Sequence, residues 1–205
     1  MDLKIRPLSG YQKFKNDNLL ILILLSNIEM FTLISGGAIG ADATFEQLAE
    51  TNGHNVIIYR PEEMSKLETE QYDSFLVYIN NKYLSRIYPS SNEYVNKLLR
   101  RDAMVGLNVD ILYAVSTLDE NGRIKGGTAW ACYSFISKFY NGFIPLFLFD
   151  QDKNQWFQVE VKEDTINYHP ANSPKVPPGL KYGGIGTREL NDNGIKAIRE
   201  LYKTK

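Results

Sequence analysis

The stretch LISGGAIGAD, Leu33 to Asp42, runs a short apolar segment through three glycines into an amphipathic stretch. That succession constrains the chain to a strand–turn–helix unit, because the apolar run is short and the residues after it keep a helical period. Two readings of the turn stay open. Without Cβ atoms, its backbone can approach an anion closely, with the N–H groups and positive dipole end of the helix pointing at the ligand. Alternatively, it is only the tight bend that helix-on-strand packing requires. In the first reading Ser35, Gly36, Gly37, Ala38 and Gly40 hold a phosphate. Asp42 then complements the dipole or accepts a bond from a ribose hydroxyl. The spacing matches neither the Walker A loop nor the G-x-G-x-x-G fingerprint.

The rest of the chain repeats this grammar. Short runs rich in Ile, Leu, Val and Phe predict strands at Phe31–Ile34, Val56–Tyr59, Ile111–Val115 and Ile144–Phe149. They show little alternation, as expected of strands covered on both faces. Helical periods fall between them at Ala41–Thr51, Glu68–Leu84, Asn92–Leu107 and Thr128–Tyr140. This order predicts an α/β fold, a Rossmann-like doubly wound and mostly parallel sheet with helices on both faces. After Phe149, DQDKNQWFQVEV predicts a small β-hairpin near residues 145–161. HPANSPKVPPGLKYG then holds four of the eight prolines and predicts an extended surface crossing.

Two more glycine turns bear on the first. KGGTAWA brings Gly126, Gly127 and Thr128 to the start of a helix, so its N–H donors face the same sheet edge. GGIGTREL offers Gly184, Gly186, Thr187 and Arg188, whose guanidinium fork suits a phosphate. Arg101 lies on the helix leading to the strand before KGGT. It either reaches the crevice or belongs to a solvated basic face with Lys97 and Arg100. Asp110 reads as structural, Trp130 as core and Cys132 as a small buried hydrophobe.

Composition narrows the function classes. The chain has 205 residues and a formal net charge of −1, which gives no electrostatic footprint for nucleic acid or an anionic membrane. One cysteine excludes an internal disulfide and a cysteine-rich zinc site, and two scattered histidines argue against a histidine metal site. The apolar core Leu19–Leu25 is far shorter than the ~20 residues that span a bilayer, and no cleavage pattern follows it. The expectation is a cytoplasmic protein with a buried helix there.

Taken together, SGGAIGAD, RRDAMVGLNVDILYAVS followed by GGTAWA, and GIGTREL resemble the SLOG superfamily of Rossmann-like nucleotide-binding domains. YpsA-like proteins, the DprA core and the LONELY GUY phosphoribohydrolases belong to it. In the usual order the G-I-G-S/T-R turn comes first; here it comes last, which is similar to the circularly permuted YpsA-like branch of phages and bacteria. The phage-type members also carry a segment like LFDQDKNQWF. The resemblance covers about residues 31–205 as a single domain, with residues 1–30 as an extension packed on it. It places Lys181–Gly184 as a central strand beside Phe31–Ile34.

The resemblance implies a nucleotide or nucleotide-derived ligand, for example one related to NAD or ADP-ribose, held by a sensor or sequestering protein with no required cofactor. Two alternatives are a nucleoside-monophosphate phosphoribohydrolase and a DprA-like DNA-processing accessory. Family phosphoribohydrolases use an arginine from an R-K-x-x-M helix, fitted here by RRDAM. They also use a glutamate from P-G-G-x-G-T-x-x-E, and here Ala131 takes that position. Family habit also suggests self-association.

Overall fold

In the computed structural model the described residues are 31–203, apart from 61, 63, 64 and 164. The expected extension, residues 1–30, lies outside them, and with it the buried helix expected at Leu19–Leu25. Strand and helix alternate as the apolar runs predict: β1 Thr32–Ser35, α1 Ala41–Thr51, β2 Asn55–Ile58, α2 Lys66–Ile79, α3 Glu93–Leu107, β3 Ile111–Ser116 and α4 Thr128–Ile136. The chain then forms β4 Asn141–Asp150, β5 Gln155–Lys162, β6 Thr165–Ala171, β7 Lys181–Gly186 and α5 Asp192–Leu201.

The seven strands form one sheet in the order β2-β1-β7-β3-β4-β5-β6. β2, β1, β7, β3 and β4 are parallel, and β5 and β6 add antiparallel at one side. If β7 is counted as the first strand, the parallel part reads 3-2-1-4-5, the order of a doubly wound fold. The central strand therefore comes from the end of the chain, beside β1 as expected. Its alignment pairs Gly184 with Ser35 on one side and Tyr113 on the other.

Both faces are covered. On one, Ala41, Phe45 and Ala49 of α1 and Ala197, Ile198 and Leu201 of α5 pack on Leu33, Tyr113 and Tyr182. On the other, α2, α3 and α4 cover Ile34, Leu112, Ala114 and Ile185. α3 and α4 approach closely because Gly106 has no side chain; a Cβ there would lie 2.2 Å from the Ala131 carbonyl oxygen.

Three expectations need correction. The stretch expected as one helix, Glu68–Leu84, is α2 ending at Ile79 and a π-helical turn, Asn80–Leu84, that closes at Ser85 with φ 52°. The hairpin is larger than expected: β4 and β5 pair from Asn141–Lys162 to Asp150–Gln155 within the main sheet. The proline-rich stretch does not start as a surface crossing, since His169, Pro170 and Ala171 end strand β6. Among the described residues β6 is the outer strand, the position in a sheet where proline is tolerated.

Candidate functional site

β7 sits at the point where the strand order reverses, and a crevice of about 810 Å³ opens beyond the carboxyl ends of β3, β4 and β7. The helix N-termini of the fold differ in kind. Ser65, Asn92 and Asn191 cap α2, α3 and α5 with their side chains. α1 and α4 start instead at Gly40 and Gly127, with no side-chain cap. A helix start leaves N–H groups that need acceptors, so these two ends are the places to ask what accepts.

At α1 the protein itself accepts. The Ala41 N–H donates to the Thr187 carbonyl at 3.0 Å. Gly37 donates to Glu46 Oε1 at 3.1 Å, and Ala38 to Asp42 Oδ2 at 3.4 Å. Asp42 Oδ1 accepts the Gly186 N–H at 2.9 Å, which ties the first glycine turn to the third. Ala38 and Asp42 line the crevice; Ser35, Gly36, Gly37, Gly40 and Gly184 do not.

These glycines have packing reasons. Gly40 has φ 92°, and a Cβ there would lie 2.5 Å from the Thr187 carbonyl oxygen. A Cβ on Gly36 would meet both Arg101 Nε and Asp42 Oδ2 at 2.8 Å, and one on Gly184 would strike the Phe45 ring. Ser35 is fully buried, and its hydroxyl lacks a partner among the described residues. For this turn, then, the tight-bend reading describes the glycines, and the loop packs against the β7 turn.

At α4 the N-terminus is open. Gly126, Gly127 and Thr128 line the crevice, and among the described residues no hydrogen bond engages their N–H groups. The turn is gripped from behind through its carbonyls. Arg86 donates from Nη1 to the Gly126 carbonyl at 2.7 Å and from Nη2 to the Ile124 carbonyl at 3.2 Å. Asn80, in the π-helical turn, clamps the Arg86 backbone on both sides, donating to its carbonyl at 2.8 Å and accepting from its N–H at 2.9 Å. The crevice wall continues with Lys125 and, from the β7 turn, Gly186, Thr187 and Arg188.

The floor is ionic. Arg101 donates to Asp102 Oδ1 from Nη2 at 2.7 Å and from Nε at 3.2 Å. Asp42, Arg101 and Asp102 are 1%, 8% and 4% exposed, so Arg101 is no part of a solvated basic face. Its neighbour Arg100 points elsewhere, to Asp73 and Glu93. Burial pushes the Asp42 carboxyl up to about 7, helped by the nearby Asp102 charge and opposed by Arg101 and the Gly186 and Ala38 N–H groups. Burial also raises Asp102, against the pull of Arg101 and Arg188.

Several lining residues escaped the sequence reading. Asp102 had a signal: Val95, Leu98, Leu99, Asp102 and Val105 follow one helical stripe, and a carboxylate on an apolar stripe faces the interior. Val95, Leu98 and Leu99 make an apolar wall with Ile185. Gln151 and Asp152 line the crevice from the end of β4. Gln151 braces the β7 turn by accepting from the Asn191 N–H at 2.9 Å and donating to the Glu189 carbonyl at 3.2 Å. Ala131 is fully buried and not part of the lining. Asp110, Trp130 and Cys132 have the structural places expected of them: Asp110 accepts from the Lys181 N–H, and the other two are buried.

Among the described residues, no group of three or more His, Cys, Asp and Glu side chains is arranged to hold a metal ion, and no helix is long and apolar enough to cross a membrane. Fold and crevice together define a doubly wound α/β protein of Rossmann-like type with its cleft at the switch point of the sheet. No family model, curated protein or solved structure matches the chain.

Proposed function

We propose that the crevice binds a phosphate-bearing small molecule, a nucleotide or nucleotide derivative, and that the protein senses or sequesters it. The observation that carries this reading is the open N-terminus of α4: Gly126, Gly127 and Thr128 line the crevice with Lys125 and Arg188, and among the described residues no hydrogen bond engages their N–H groups. A phosphate there meets the positive end of the helix dipole and two cations. The apolar wall of Val95, Leu98 and Leu99 suits the face of a base, and a crevice of about 810 Å³ has room for a nucleotide. The closed N-terminus of α1 supports one phosphate site at a helix end rather than two.

A second reading, hydrolysis of an N-glycosidic bond, is favoured by the two floor carboxylates. Water would form the new bond at the sugar carbon as the bond to the base breaks. One ionised carboxylate would face the developing ribosyl cation and take the proton that the attacking water loses, and one protonated carboxylate would give its proton to the departing base. Asp42 and Asp102 are the groups able to fill those roles, in place of the carboxylate absent at Ala131.

The two readings separate experimentally. A panel of nucleotides is added to the protein, and both melting temperature and release of free base by chromatography are followed. Binding without turnover is expected: at least one nucleotide raises the melting temperature, and Arg188→Ala reduces that rise. Free base in the wild-type reaction favours the hydrolase. If no nucleotide at millimolar concentration gives either a rise or free base, both readings are contradicted.

A further inference from the structure

We propose that the crevice takes up a proton together with its anionic ligand, on the buried cluster Asp42–Arg101–Asp102. The inference rests on the phosphate reading of the α4 N-terminus and deepens it by assigning the site a regulator.

The geometry starts at Asp102. Both bonds from Arg101 go to Oδ1, and among the described residues no hydrogen bond reaches Oδ2. That oxygen lies 3.1 Å from where a Cβ on Gly127 would stand, so a nearly buried carboxylate oxygen is aimed at the helix start the phosphate is to occupy. Asp42 also lies near Arg101, since its Oδ2 and Arg101 Nε each lie 2.8 Å from the same point above Gly36. Two acids thus sit close to one guanidinium, which donates to Asp102 and acts on Asp42 through its charge, and with both ionised the cluster carries a net negative charge.

An oxyanion arriving beside such a cluster is repelled, because interior charges are weakly screened. A proton on either carboxylate makes the cluster neutral and relieves this. Burial already favours that proton, as the raised Asp42 and Asp102 values record. A tightly coupled pair holds it jointly, so it belongs to both acids. Other groups set the balance. Arg188 and Lys125 line the same crevice and favour the ionised cluster, whereas Asp152 and Glu189 favour the protonated one. The buried Cys132 thiol, within α4, is itself raised by burial and by Asp102 and stays neutral. Glu46, one turn along α1, is engaged by the Gly37 N–H.

The consequence is ligand affinity that falls as pH rises through neutrality. Sulfate is the appropriate probe, being a tetrahedral dianion that does not titrate in this range. Titration calorimetry with sulfate is run at pH 6 and pH 8, and at pH 8 in two buffers of unlike ionisation heat. The expected result is affinity about tenfold weaker at pH 8, with close to one proton taken up per sulfate. Asp42→Asn is expected to bring the two affinities within about twofold and to abolish the uptake; Asp102→Asn is the second variant, should the first not fold.

Sulfate binding that is flat with pH in the wild type, or as steep in both folded variants as in the wild type, overturns the inference. The nucleotide panel keeps the two levels apart. Nucleotide binding alongside pH-flat sulfate binding removes the proton linkage and leaves the nucleotide reading standing. Nucleotide binding with no sulfate binding at either pH removes the anion from the α4 N-terminus, and the inference with it. If neither binds, both are overturned.

Discussion

Replacing the Asp42 carboxylate by an amide keeps an acceptor for the Gly186 N–H and removes a buried charge. The carboxyl stands near 7 in the folded protein and at 3.8 without its surroundings. A folded-state value raised in this way means that Asp42 destabilises the fold progressively as pH climbs from about 4 to about 7, where the unfolded chain ionises and the folded one resists. Below that window the penalty is absent; above it, it is fully present. Asp42→Asn is therefore expected to gain on the wild type by about 2–3 kcal/mol more at pH 8 than at pH 5. Urea unfolding at both values measures this, and an equal gap at both contradicts the environment assigned to Asp42. At this scale the sequence was half legible. Asp42 and Arg101 stood out because glycine turns and a basic cluster draw the eye. Asp102 did not, though its place on the Val95–Leu99–Val105 stripe announced a carboxylate turned inward. The exchange of Asp42 between the first and third turns was invisible, since 144 residues separate it from Gly186.

Among the elements, the α4 turn depends on a brace that no motif reveals. The π-helical turn after α2 ends at Ser85 in a left-handed conformation, and Asn80 then holds the Arg86 backbone so that its guanidinium reaches two carbonyls of the turn before α4. Two carbonyls of the turn are thus held by Arg86, while Gly126 to Thr128 line the crevice with no hydrogen bond to their N–H groups among the described residues. Arg86→Ala is expected to weaken nucleotide binding about fivefold or more while lowering stability by only about 1 kcal/mol, because two partly exposed hydrogen bonds are lost. Nucleotide titration and denaturant unfolding on the same variant check the pair of effects; unchanged affinity would show that the brace does not orient the site. Element boundaries followed the sequence closely where a glycine or asparagine stops the helix, as at Thr51 and Leu107. They failed where a tertiary contact decides. A helical period continues past Ile79, but the chain widens into a π turn there. The proline-rich stretch predicts a surface crossing from its first residue, yet Pro170 belongs to β6, at the edge of the sheet among the described residues.

Across the whole molecule, the order of the sheet converts three scattered glycine turns into one crevice. Because β7 enters between β1 and β3, the last turn of the chain lies against the first, and the second lines the same cleft. The alternation of apolar runs and helical periods made this α/β architecture legible, and the late position of GIGTREL made the central place of β7 legible with it. What no local pattern disclosed is that the two glycine-led helices divide their roles. The Thr187 carbonyl, brought in by β7, closes α1, and nothing comparable closes α4 among the described residues. Backbone amide NMR reads that asymmetry directly. On titration with a nucleotide that raises the melting temperature, the amide signals of Gly126, Gly127 and Thr128 are expected to move most, and those of Gly37, Ala38 and Ala41 little. Large shifts at Gly37, Ala38 and Ala41 with still signals at Gly126 to Thr128 would contradict the account.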